Sequence, residues 1–247
     1  MSRAEFVAGG YTSVQAPLAL GALNNRWALA RAADFNSDVE VINYALTLEY
    51  LEAEFYRQGN NKGLTSGKTR RYLTTIEEDE AYHVTAITAT IKSLGGTPVK
   101  APGVDFGDAF ATRTSFLTTA VTFENVGVGA YLGAAGFIKS KAVLQAAAGI
   151  FGVEARHAAV VGNLLGLTPE GGVYKGAFET PIAKATVLSA VSPFLTGEAP
   201  TGGVSTGVGD SGTMQTGLVT AGGVALAGAA AAGYLARKKA VAAKADS

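Results

Sequence analysis

Apolar positions recur at steps of three and four in four long stretches of this chain, a period that predicts four helices. The first opens at Ser37, an N-cap residue followed by Asp38 and, three positions on, by Glu40 in a capping box; it runs to about Gln58 and stops at Gly59-Asn60-Asn61. The second runs from near Thr69 to Leu94, where Gly95-Gly96 and Pro98 end it. A third lies between Asp108 and Gly136, and a fourth runs from about Lys141 to Leu165, ending at Gly166 with Pro169 beyond. Residues 95–107 are rich in Gly and Pro and too long for a tight hairpin, so they are expected to carry the chain along the length of a bundle. Thr180-Pro181 opens a short extra helix through Val191, expected to pack across the bundle.

Acidic side chains interrupt the apolar stripes. On the first helix Ile42, Leu46, Glu49, Ala53 and Tyr56 share one side, while Glu52 and Glu54 rotate toward the flanks and read as a solvated face; Glu52 takes the place of Glu49 if the helix is turned by one step. The second stripe is Leu73, Ile76, Glu80, His83, Ile87 and Ile91, with Glu77, Glu78 and Asp79 outside it as a solvated patch. Between residues 114 and 138 the sole charged side chain is Glu124. Burying that carboxylate ionised and unpaired costs several kcal/mol, so it is either protonated or faced by a cation. The same cost argues against reading this helix as a membrane span, although its length suffices. On the fourth helix Ile150, Glu154, His157 and Val161 align.

The chain has only two histidines, and each follows a glutamate by three residues. On a helix a three-residue step rises about 4.5 Å and turns about 300°, so Glu80 and His83, and likewise Glu154 and His157, present two ligands on one face. One Glu from each of two helices and a Glu-x-x-His from each of the other two make the ligand set of di-iron and di-manganese carboxylate bundles. Four carboxylates neutralise two divalent ions. Oxygen-rich ligation with one imidazole per ion favours Fe or Mn over structural Zn. Glu49, Glu80, His83, Glu124, Glu154 and His157 are thus the candidate metal ligands and catalytic residues, and two divalent transition-metal ions, Fe or Mn, the expected cofactors.

Composition narrows the rest. Of 247 residues 48% are hydrophobic and 16% charged, enough for a sizeable core. Twenty basic side chains balance twenty acidic ones, which gives no electrostatic case for nucleic acid. The absence of cysteine excludes disulfides, thiolate catalysis and Cys-based zinc sites. Residues 1–35 form an N-terminal arm or a degenerate export signal: Arg3 and the following apolar stretch resemble a twin-arginine signal, but Ala4 stands where the second arginine belongs. Residues 196–215, rich in Gly, Thr and Ser, read as a linker. In the tail, 216–247, the uncharged Ala/Gly-rich run 216–236 precedes Arg237-Lys238-Lys239, as suits an apolar helix contacting a membrane or a partner protein. Export or association with the cell envelope is expected, with a cytoplasmic location the alternative; homo-oligomerisation stays open.

Residues 37–59 (SDVEVINYALTLEYLEAEFYRQG), 77–83 (EEDEAYH), 123–133 (FENVGVGAYLG) and 153–157 (VEARH) resemble the ferritin-like domain family that includes desiccation-related proteins. The resemblance covers residues 36–195 and takes in the FETP and VSPFL segments. It implies an all-α fold, a ferritin-like four-helix bundle with a long crossover between helices 2 and 3, a short C-terminal extra helix and a separate apolar tail helix. The same six residues fall at the family's metal-ligand positions. Rubrerythrins, ferritins and manganese catalases belong to the wider superfamily, so the resemblance implies chemistry on peroxide, oxygen or ferrous iron, in stress or desiccation protection, without choosing a substrate. A non-catalytic protective protein, with metals stabilising the bundle and the C-terminal helix tethering it, is the alternative.

Overall fold

The computed structural model describes residues 35–196, and the expectations for the N-terminal arm, the linker and the tail lie outside this range. The described part is all-α apart from one two-residue strand pair. Its order is α1 (Asp38–Asn61), α2 (Gly67–Ser93), β1 (Gly103–Val104), a 3-10 turn (Gly107–Phe110), α3 (Arg113–Ala135), α4 (Lys141–Leu165), α5 (Lys184–Val191), a second 3-10 turn (Ser192–Phe194) and β2 (Leu195–Thr196). Among these residues no helix is long and apolar enough to cross a membrane.

Local chemistry sets the helix ends. The Ser37 hydroxyl accepts from the Glu40 amide, but Glu40 reaches back to the Asn36 amide (2.8 Å), one residue beyond the expected reciprocal bond. Asp38, in the first turn of α1, accepts from the amides of Lys139 (2.7 Å) and Ser140 (2.8 Å), fastening this end of the bundle to the α3–α4 turn. Thr112 and Ser115 form a full capping box on α3. The fourth helix stops at Gly166, whose φ of 82° is left-handed.

Helices α1 and α2 pack as one antiparallel pair and α3 and α4 as another, with α1 against α3 and α2 against α4 closing the bundle. The long crossover from α2 to α3 is clamped at its start by Asn43, which donates to the Thr97 carbonyl and accepts from the Val99 amide. At its far end β1 pairs antiparallel with β2, Gly103 opposite Thr196 and Val104 opposite Leu195, a contact that the helical period did not predict. Phe106 and Phe110 of the crossover join Phe55, Phe116, Phe123 and Phe194 in an aromatic cluster that closes one end of the core.

The lack of charge on α3 has a packing cause. Twelve of its residues are buried, because α1 and α4 cover two sides and α5 with its approach covers a third. That approach lies directly on the helix backbone: the Ile182 amide donates to the Gly129 carbonyl at 2.9 Å, and a Cβ at Gly133 would stand 2.1 Å from the Ile182 carbonyl oxygen.

Gly133 is therefore a seat for the crossing chain. Gly133→Ala is expected to destabilise the protein by about 1–3 kcal/mol through overpacking. Gly149→Ala, on α4 with open space around it, is expected to be neutral or to stabilise by up to about 1 kcal/mol through helix propensity. Urea unfolding of the two variants measures the difference, and equal effects would contradict the seat.

Candidate metal centre

Each of the four long helices sends a carboxylate to one point inside the bundle. Glu49 (α1), Glu80 (α2), Glu124 (α3) and Glu154 (α4) are each 0% exposed, and His83 and His157 lie beside them at 6% and 5%. All six residues anticipated as ligands are brought together. The two imidazoles stack with centroids 6.2 Å apart and turn their Nδ1 atoms to the carboxylates. His83 Nδ1 stands 3.1 Å from Glu49, 3.2 Å from Glu80 and 3.3 Å from Glu154. His157 Nδ1 stands 2.8 Å from Glu80 and 3.5 Å from Glu124.

Glu80 faces both imidazoles, with Oε2 toward His83 and Oε1 toward His157. Two groups of ligand atoms result, Glu49, Glu80, His83 and Glu154 in one and Glu80, Glu124, Glu154 and His157 in the other, each within 4.8 Å. Glu80 and Glu154 belong to both. The span is close to that across a single ion with metal–ligand bonds of about 2.1 Å.

The donor set passes a second test of fit. Glu80 Oε1, Glu124 Oε2, both Glu154 oxygens and His157 Nδ1 are buried without a hydrogen-bond partner. His157 Nδ1 and Glu80 Oε1 are only 2.8 Å apart yet do not meet in hydrogen-bond geometry. Orphaned buried atoms are costly, and oxygen and imidazole donors crowded together in this way could hold a cation.

Three contributors were not anticipated. The Tyr56 hydroxyl of α1 donates to Glu124 on α3, and the Tyr131 hydroxyl of α3 donates to Glu49 on α1. Neither phenol is among the anticipated ligands; each fixes the carboxylate of the opposite helix and leaves its second oxygen turned to the cluster. The signal was present: each tyrosine follows its own helix's glutamate by seven residues, two turns along the same face. Asp79, assigned to the solvated patch, lies with Oδ2 3.4 Å from His157 Nε2 and orients that ring from behind.

One expectation is corrected. Glu52 does not lie on a solvated face but is 3% exposed inside the bundle, because α3 opposes it with Gly127 and leaves room for a side chain. Glu54 does remain at the flank, paired with Arg57.

Electrostatics follow from burial. Desolvation pushes Glu154 and Glu52 well above the usual carboxylate range, with neighbouring carboxylates adding to the rise. It also raises Glu124, against the opposing pull of His157. Burial lifts Glu49 to about 7 despite His83. Glu80 is the exception: burial raises it, but the imidazoles of His157 and His83 beside it outweigh this and hold it at about 2. Burial alone would lower both histidines, yet the surrounding carboxylates raise them far above the usual imidazole range. Without a cation the cluster thus holds protons that offset its negative charge.

A bundle with paired Glu-x-x-His helices and a carboxylate on each of the other two brings together buried Glu and His groups that could hold metal ions. A family model described as a ferritin-like domain matches residues 37–167, over half of the chain, and the chain belongs to that family. No curated protein matches the chain.

The proton content sets a pH dependence. Above pH about 4.5 the folded, metal-free chain binds more protons than the unfolded one, through Glu52, Glu124, Glu154 and Glu49, and above pH about 6.5 also through the histidines, so stability falls as pH rises. The thermal midpoint of chelator-treated protein is expected to drop from pH 5 to pH 8. A midpoint that climbs over this range would contradict the assignment.

Proposed function

We propose that this chain is a di-metal carboxylate protein that binds two divalent ions of Fe or Mn and acts on peroxide, oxygen or ferrous iron in stress or desiccation protection. The observation that carries the reading is the membership of Glu80 and Glu154 in both buried ligand groups, which suits carboxylates shared between two ions. Glu49 and His83 would complete one ion's protein ligands, and Glu124 and His157 the other's. A metal pair so held would supply one-electron redox chemistry and Lewis acidity toward an oxygen-containing substrate. The protein's part is orientation and charge. Tyr56 and Tyr131 hold Glu124 and Glu49 by one oxygen each, and the burial of all four carboxylates keeps bulk water from the centre.

The alternative reading, a protective protein whose metals mainly tie the helices together, draws support from the same burial, since one cluster links all four long helices. Export or cell-envelope association, contact with a membrane or partner protein through residues 216–236, and homo-oligomerisation belong to this proposal as its wider setting.

Reconstituted protein is expected to bind close to two Fe or Mn ions per chain by elemental analysis, and to release oxygen from peroxide or consume ferrous iron. Glu80→Gln removes a charge shared by both ions and is expected to lower metal affinity by at least about tenfold. Full metal content without turnover on peroxide, oxygen or ferrous iron would overturn the catalytic reading and leave the structural one. Fewer than one ion per chain would overturn both.

A further inference from the structure

Away from the metal centre, the crossover and the last described residues meet over the first half of α3. The β1–β2 pairing and a bond from the Asp105 amide to the Phe194 carbonyl (2.9 Å) hold these segments together. The Phe194 ring then packs on Phe123 of α3 at 4.9 Å between centroids. Pro193 and Phe194, Asp105 and Asp108 of the crossover, and Thr118 and Thr119 of α3 border an open cavity of about 670 Å³. That volume falls within the range of about 300–1,000 Å³ in which small molecules bind. None of these six residues belongs to either group of candidate metal ligands.

The lining is chemically selective. It combines hydroxyl side chains of α3 and its cap with two carboxylates, and no lysine, arginine or histidine takes part. Thr112 and Ser115 spend their hydroxyls on each other in the cap, and Asp105 Oδ1 accepts from the Gly107 amide at 2.9 Å. The Asp108 carboxylate and the Thr118 and Thr119 hydroxyls bond no other described residue. Acceptors and hydroxyls without a cation suit a ligand that donates hydrogen bonds and carries no negative charge. The half-buried Phe194 ring adds an apolar face for C–H groups. A saccharide carries both features, hydroxyl donors around its edge and C–H groups across its ring faces. A polyamine would meet only two carboxylates, one already bonded to backbone, and would leave the hydroxyls unused. We propose that this cavity binds a neutral saccharide of one or two rings, with Asp108, Thr118 and Thr119 bonding its hydroxyls and Phe194 packing on a ring face.

Saturation-transfer difference NMR on the full-length protein tests this with maltose, cellobiose and sucrose, and with spermidine as a cationic control. At least one disaccharide is expected to give saturable transfer, strongest at its ring C–H protons. Phe194→Ala and Thr118→Val are each expected to weaken that binding by about fivefold or more. Thr85→Val, at an exposed threonine on α2, is expected to leave it unchanged. Helical circular dichroism is the folding control, and Thr118→Val, on the exposed face of α3, decides the matter if Phe194→Ala does not fold. No saturable transfer to any of the three disaccharides, or transfer that Thr118→Val leaves intact, would overturn the proposal. Transfer to spermidine alone would overturn it in favour of a cation site.

Discussion

Burial of four carboxylates at one point is the constraint on which the rest of this structure depends. An ionised carboxylate deep in a helical bundle costs several kcal/mol unless something opposes its charge. Here Glu49, Glu80, Glu124 and Glu154 have no exposed surface at all. The surroundings are arranged around that cost. Two imidazoles stand among the carboxylates, two phenols each tie down one oxygen, and Asp79 holds the far side of His157. What local chemistry leaves unmet is consistent in kind: clustered carboxylate oxygens and one imidazole nitrogen that no hydrogen bond satisfies.

The bundle serves this point by keeping it dry and rigid. The crossover cannot simply loop through solvent; it is clamped by Asn43, carries Phe106 and Phe110 into the aromatic end of the core, and is closed by pairing with the last described strand. Ile182 lies on bare backbone at Gly133, which completes the cover of α3. The single charge between residues 114 and 138 is intelligible in these terms, since neighbours cover most of the helix and leave solvent a narrow face with Thr118 and Thr122.

Much of this was legible in the sequence, because helical period and metal-ligand spacing are both short-range signals. The four long helices, the stop at Gly166 and the inward placement of Glu80-x-x-His83 and Glu154-x-x-His157 follow from steps of three and four. The departures have a common origin in what lies across the bundle. Glu52 reads as solvated on a helical wheel because the wheel contains no Gly127 opposite. Tyr56 and Tyr131 do not stand out on a helical wheel because a phenol reveals its hydrogen bond only when the neighbouring helix is in place. The β1–β2 pairing is two residues long and spans more than ninety positions, so no local pattern announces it.

Two ions sharing Glu80 and Glu154 are the central claim, and anomalous X-ray scattering tests it most directly. Crystals of the protein loaded with Mn or Fe, measured at that metal's absorption edge, should show two peaks, one among Glu49, Glu80, His83 and Glu154 and the other among Glu80, Glu124, Glu154 and His157. A single peak, or peaks only at the protein surface, would contradict the account.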